Sequence, residues 1–149
     1  MPEKKTLRRA RKDKREGKAP STQAGEFVRE EMEHVREGKH GARSTKQAIA
    51  IGLSKARRSG VELPPPKKGK ASPRTRRRAA RDERRGQSGQ RRKPSSTRSR
   101  VTSRALRREG KSAASKKALS RHARSAARRR SAASRSRAAK KAAATRKKR

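Results

Sequence analysis

The side chains in this chain that could do chemistry are mostly cations. Guanidinium and ammonium groups cluster at Arg74, Arg76, Arg77 and Arg78, at Arg91, Arg92 and Lys93, at Arg128, Arg129 and Arg130, at Lys140 and Lys141, and at Arg146, Lys147, Lys148 and Arg149. Planar guanidinium forks match phosphate oxygens and can enter a narrow minor groove, so the chemistry these runs point to is neutralisation of a polyanion. Reading a base sequence needs side chains held rigidly in a groove, and low-complexity runs supply no such frame. Binding is therefore expected to be nonspecific and steeply salt-dependent, with the cations largely interchangeable.

Other chemistry is sparse. His34 lies four residues after Glu30 and three before Glu37, and His40 follows shortly, so a two-histidine metal site is geometrically conceivable. Histidines on a charged helix surface are far commoner, and neither a metal nor any other cofactor is expected. His122 stands alone in the C-terminal half. There is no cysteine, and the chain shows no Ser/His/Asp constellation. Gly38-Lys39-His40-Gly41 lacks the Gly-Lys-Ser/Thr ending of a nucleotide loop. A chain with so few large apolar residues is not expected to desolvate a catalytic site, and no enzyme activity is expected.

The elements that must position these groups follow from how charge is distributed. Of 149 residues, 51 are Lys or Arg and 12 are Asp or Glu, a net charge of +39. Residues 1–20 hold nine cations and three acids, residues 21–63 eight and six, and residues 64–149 thirty-four and three, so net charges of +6, +2 and +31 add to the total. The near-neutral middle also holds nine of the fourteen apolar residues other than alanine. Two independent counts thus select 21–63 as the segment able to fold. The 34 cations beyond it match the charge on roughly 58 Å of duplex, at one charge per about 1.7 Å of axis.

Within the middle segment the apolar period is helical. Ala24, Val28, Met32 and Val35, flanked by Phe27, share one face of a helix over about 23–37, with Ser21 or Thr22 as N-cap and Gly38 as its left-handed terminator. Ser44 and Gln47 have capping-box spacing, and Ile49, Leu53 and Ala56 repeat along a second helix over about 45–59, with Ile51 widening the face. The connection of about six residues favours antiparallel neighbours. Phe27, Val28, Met32, Val35, Ile49 and Leu53 are the expected hairpin core, onto which Val61 and Leu63 can fold. A helix-turn-helix reading would use Lys46, Gln47, Ser54 and Arg57 for groove contacts, but this connection is longer than that motif's turn.

The flanks read as solvated material. Thr6–Glu16 has helix formers and the pairs Arg9/Asp13 and Lys12/Glu16, but only Leu7 and Ala10 to pack. Pro64-Pro65-Pro66 opens a Pro-, Gly- and Ser-containing stretch, followed by an Ala/Arg/Ser/Lys tract. Backbone ordering costs about 1–2 kcal/mol per residue, and so few large side chains are not expected to offset it. The reading is a small all-α fold: an antiparallel helical hairpin flanked by disordered basic arms, with latent helicity over about 103–145. The domain boundaries expected are a basic arm at 1–20, the hairpin at 21–63, a linker at 64–102 and a basic tail at 103–149.

The stretch from Gly38 to Arg57, with Lys46-Gln47-Ala48-Ile49-Ala50-Ile51-Gly52-Leu53 at its centre, resembles a family of small, basic, uncharacterised bacterial proteins. The resemblance spans about residues 20–60 and implies a bacterial origin and a shared module, with no biochemical role attached. The tail resembles linker-histone C-termini and bacterial histone-like extensions in composition, and Ser72-Pro73-Arg74-Thr75 is similar to the Ser-Pro-basic-basic element of such tails, with Thr in the fourth place.

DNA is the expected partner and RNA, including the ribosome, the alternative. A hairpin that binds a protein or a second copy, tethered by its charge to nucleic acid or an anionic membrane surface, is a third reading. The start Met1-Pro2-Glu3-Lys4-Lys5 lacks the apolar stretch of a signal peptide, so a cytoplasmic, nucleoid-associated location is expected.

Overall fold

The structure, a computed structural model, describes residues 1–89 and 95–147, the side chain of Lys147 excepted. Among them run seven helices: α1 Lys4–Arg15, α2 Pro20–Glu37, α3 Thr45–Arg58, α4 Pro73–Gln87, α5 Ser96–Arg107, α6 Lys116–Arg128 and α7 Ala132–Lys147, with a 3-10 turn at Ser112–Ala114. The chain divides into two units, Met1–Ala114 and Ser115–Arg149.

α2 and α3 pack on each other, but not as a simple hairpin between disordered arms: the described flanks are helical and pack as well. In the first unit α1 packs on α2, α4 packs on α3, and the 3-10 turn packs on both α2 and α3. The hairpin is thus part of a larger helical assembly, and the expected fold is corrected on both flanks. The tail tract, expected to be only latently helical, forms the end of α5 and all of α6 and α7.

Small residues account for the difference. The core joins Ala10 of α1, Ala24 and Phe27 of α2, Ala56 of α3 and Val61, with Leu7, Leu53 and Leu63 packed around it. Apart from Arg57, the buried positions on α3 are Thr45, Ala48, Gly52 and Ala56, a row of small side chains spaced at about four residues, rather than the Ile49, Ile51 and Leu53 face, which is half-buried. Small residues let two helix backbones approach closely. A Cβ on Gly52 would lie 2.7 Å from the Val28 Cα and 3.0 Å from the Phe27 carbonyl oxygen. Close approach replaces the burial that large side chains would have supplied. On α2, Phe27, Met32 and Val35 are buried, and Val28 is half-buried.

α1 joins this core through Thr6, Ala10 and Asp13, whose i, i+4, i+7 spacing puts them on one buried face. The expected Lys12–Glu16 pair forms at 3.7 Å. Arg9 and Asp13 part company, Arg9 reaching Glu26 at 3.6 Å and Asp13 reaching Lys18 at 2.7 Å. Asp13 and, after it, Glu16 raise the Lys18 pKa above its usual value.

Helix termini follow local sequence closely. Pro20 opens α2 with Ala19 as the N-cap, two residues before Ser21 and three before Thr22, and no side chain caps the helix. Gly38 closes α2 with φ 79°. Ser44 Oγ accepts from the Gln47 amide at 3.2 Å, while Gln47 Oε1 accepts from the Arg43 amide at 2.9 Å, a capping box shifted by one residue on its return arm.

The segment after Pro66 docks through buried Ala79, Ala113 and Ala114 and through a set of polar contacts. Ser54 Oγ donates to Asp82 Oδ2 at 2.6 Å, Arg58 lies 3.8 Å from Asp82, and Arg76 Nε donates to the Pro66 carbonyl at 3.1 Å. Arg57, buried beneath α4's acidic side, donates Nε to the Leu63 carbonyl at 2.9 Å. Burial pushes its guanidinium below the usual value, against the opposite pull of Asp82 and Glu83. Further on, the Gly41 amide donates to Leu106 O at 2.8 Å, Ala42 N to Gly110 O at 3.1 Å, Thr45 Oγ1 to Ala113 O at 2.7 Å and Arg36 Nε to Ala114 O at 2.9 Å. Gly41 abuts the Glu109 backbone so closely that no Cβ fits between them.

Candidate nucleic-acid interface

Serines set the starts of the basic helices. Ser72, Ser95 and Ser115 each accept a hydrogen bond from the amide three residues on, and Ser131 does the same at the start of α7. Ser72-Pro73, within the stretch expected to be a linker, is thus a helix start with the proline in the first turn.

On α4 the helix sorts its side chains by charge. Ala79 is buried, and Asp82, Glu83 and Gly86 are half-buried toward the rest of the unit. Arg74, Arg77, Arg78, Arg81, Arg84 and Arg85 are exposed. Arg76 is the exception among the singled-out residues, because its Nε is taken by the Pro66 carbonyl.

The second unit contains no acid at all, and 15 of its 35 residues are Lys or Arg. On α6, Lys117, Arg121, Arg124 and Arg128 line a shallow groove with Ser120, Ser125 and Arg129. Their i, i+4, i+7, i+11 spacing aligns the four cations along about 16 Å of helix at about 1.5 Å per residue. Arg128, Arg129 and Arg130 are all exposed, and Arg129 also donates to Ser125 Oγ at 2.9 Å. On α7, Lys140, Lys141 and Arg146 are exposed with Arg135 and Arg137. The side chain of Lys147, and Arg91, Arg92, Lys93, Lys148 and Arg149, lie outside the described residues.

One basic row was missed from the sequence. Lys4, Arg8, Arg11 and Arg15 line an outward groove on α1, together with Leu7 and Lys14. Its signal is the same i, i+4, i+7, i+11 spacing found on α6, in a segment whose few apolar residues read as a solvated arm.

α3 offers little to a DNA groove. Gln47 caps the helix, Ser54 is held by Asp82 and Arg57 is buried, which leaves Lys46 exposed among the four residues a recognition helix would have used. Among the described residues no helix is long and apolar enough to cross a membrane.

The acids are placed mostly inward. Asp13, Glu30 and Glu31 are buried, and Glu26, Asp82, Glu83 and Glu109 are half-buried, so the cations dominate the surface. Burial alone would raise the Glu30 carboxyl pKa, but the Thr6 hydroxyl, the Glu3 amide and Lys55 outweigh it and hold the group below the usual carboxylate value.

Residues 17–68, which cover α2, α3 and the chain to the proline run, match the family described as "Family of unknown function (DUF6496)". The match covers about a third of the chain, and α1 and every helix from α4 onward fall outside it. Comparison with curated proteins gave no match, and comparison with solved structures gave none either.

Proposed function

We propose that this protein is a nonspecific nucleic-acid-binding protein of the histone-like, nucleoid-associated kind, which compacts DNA by neutralising its phosphates. The observation that supports this reading most directly is the second unit, an acid-free pair of helices whose cations, among the described side chains, are solvent-exposed. Each phosphate neutralised releases a condensed counterion, and that release drives binding without any base contact. Helices make this more than a matter of composition, since they fix cations in rows at about 5–6 Å spacing and present them together.

In this reading the first unit is a folded base that contributes basic rows on α1 and α4, and DNA is compacted when separate rows engage separate stretches of duplex. The test is a titration of full-length protein against duplexes of unrelated sequence over a NaCl series, with light scattering to follow compaction. Equal affinities across sequences, falling steeply and log-linearly with salt, are expected. Binding that hardly weakens at several hundred millimolar NaCl, or that strongly prefers one operator, overturns the proposal. Competition with ribosomal RNA ranks DNA against RNA, and a clear preference for RNA would move the protein to the RNA-bound class.

A further inference from the structure

On the buried face of α2 lies a carboxylate that the polycation does not explain. Glu31 is fully buried, and neither of its oxygens takes part in an aligned hydrogen bond. Cationic or potentially cationic nitrogens lie near both oxygens at ion-pair distance: Lys55 Nζ is 2.7 Å from Oε2 and His40 Nε2 is 3.1 Å from Oε1. Lys55 also lies 3.2 Å from Glu30 Oε1.

The His40 contact has a definite chemical meaning. Its other nitrogen, Nδ1, is 3.1 Å from the Gly41 carbonyl oxygen, which can only accept, so Nδ1 carries the ring proton. Nε2 is then the ring nitrogen left with a lone pair, and it lies 3.1 Å from Glu31 Oε1 with no aligned hydrogen bond between them. Such a pair needs a cation between its members, either a second proton or a metal ion. A third donor is close by. His34 sits three residues after Glu31 on the same helix, one turn along, and its ring lies 6.1 Å from that of His40, nearly perpendicular to it. One donor atom each from Glu31, His34 and His40 fall within 4.8 Å of one another.

We propose that Glu31, His34 and His40 form a binding site for a divalent transition metal of the zinc class. Two imidazole nitrogens and one carboxylate oxygen suit zinc and its neighbours, whereas magnesium and calcium favour all-oxygen sets. The supports around the donors fit the same purpose. A metal-bound imidazole is normally steadied by a hydrogen bond at its other side, and Gly41 O serves His40 in this way. Glu3 Oε1, 2.9 Å from His34 Nε2, anchors the second ring. Lys55 neutralises Oε2 and leaves Oε1 to act as a single ligand. A tetrahedral ion at about 2.0–2.1 Å from nitrogen needs donors about 3.4 Å apart, so small rotations of the rings close the site. The immediate charges are Glu3, Glu30, Glu31 and Glu37 against Lys39 and Lys55, two net negative in a chain of +39. The metal would clip the loop after Gly38 to α2, independently of nucleic-acid binding.

The experiment is a titration of metal-stripped full-length protein with Co2+ in a phosphate-free buffer at neutral pH, followed by visible absorption and then by displacement with Zn2+. One equivalent of cobalt with the d–d bands of nitrogen ligation is expected, with a Zn2+-dependent rise in Tm. His40→Ala should weaken binding by more than about 100-fold. His122→Ala, a histidine outside the cluster, should leave binding unchanged. His34→Ala provides the same reading should His40→Ala lose its helix content by circular dichroism. The proposal fails if wild type binds no cobalt at micromolar concentration, if both cluster variants bind as well as wild type, or if His122→Ala loses as much affinity as His40→Ala. It fails equally if NMR shows the His40 ring doubly protonated with excess Zn2+ present, because a proton then fills the place assigned to the metal.

Discussion

Replacing Lys117, Arg121, Arg124 and Arg128 by alanine removes the whole cationic row of α6 while keeping helix propensity, since alanine is the best helix former. The row spans about 16 Å, a length of duplex that carries roughly ten phosphates. Four phosphate contacts at about 0.9 counterions each make the slope of log K against log salt shallower by about 3.6. At about 0.15 M salt each released ion contributes about 0.8 of a log unit, so affinity should fall by up to about a thousand-fold. Fluorescence anisotropy with a labelled duplex over a salt series reads both numbers. The comparison that tests the reasoning is a second quadruple variant, with Arg135, Arg137, Lys140 and Arg146 replaced by alanine. These four lie on opposite sides of α7, so one duplex engages only part of the set and the slope should change by about half as much. Equal changes from the two variants would mean that cation number alone decides, as in a disordered tail, and that the helical rows carry no meaning.

Other predictions address the fold. Gly25→Ala should stabilise the first unit by about 0.4–1 kcal/mol, because its Cβ meets nothing within 4 Å, whereas Gly52→Ala should destabilise it because its Cβ meets Val28 Cα at 2.7 Å. Thermal melts showing the same sign for both would refute the close helix contact. Asp82→Ala removes the acceptor of the Ser54 hydroxyl and the partner of Arg58, and should cost about 1–3 kcal/mol while speeding hydrogen exchange in α4; unchanged exchange would mean that α4 is held by other contacts. The Glu30 carboxyl is held below its ordinary value of 4.5 in the fold, so its contribution is full above that pH and is lost as pH falls through the lower folded value. The Tm of wild type should therefore drop below about pH 4.5 more steeply than that of Glu30→Gln, and parallel profiles would show that the Thr6, Glu3 and Lys55 contacts do not hold the carboxylate.

The sequence made α2 and α3 legible because both carry strong punctuation: a positive-φ glycine at 38, a serine cap at 44 and apolar residues at helical period. It hid the remainder for two physical reasons. First, burial was reckoned from large side chains, yet Ala10, Ala24, Ala48, Ala56, Ala79, Ala113 and Ala114 are all buried. Alanine contributes little area per residue but permits backbones to meet, and Gly41 and Gly52 extend this. Second, Ser72 and Ser95 read as linker composition, and Ser115 and Ser131 as part of the low-complexity tail, when each caps a helix. The charge count held a further clue. Asp82, Glu83 and Glu109 are the three acids among residues 64–149, and Asp82 and Glu109 face Arg58 and Arg43 of the hairpin region. A rare acid in a polycation marks where that segment docks. The row on α6 was equally readable from its spacing. The Glu31–His34–His40 cluster was only half readable, because the two histidines were visible while the buried acid beside them was one glutamate among six in its segment.

A chain of net +39 folds only if its self-repulsion is kept at the surface, where water and counterions screen it within about 10 Å. The first unit achieves this by spending its acids inside. Glu30 and Glu31 share Lys55, Asp13 holds Lys18, and Asp82 faces Arg58, so buried or half-buried carboxylates meet cations that would otherwise repel one another. The second unit has no acid to use in that way, and its helices carry exposed cations without internal compensation. Its repulsion is relieved most fully by an external polyanion. Folding and binding are thereby assigned to different parts of one sequence: a unit that neutralises itself well enough to hold a core, and a unit whose charge is satisfied from outside. On this argument phosphate-rich polymers should raise the helix content of residues 115–149 more than that of residues 1–114. Residue-resolved NMR of the full chain with and without duplex DNA measures the difference, and an equal response in both units would undo the division.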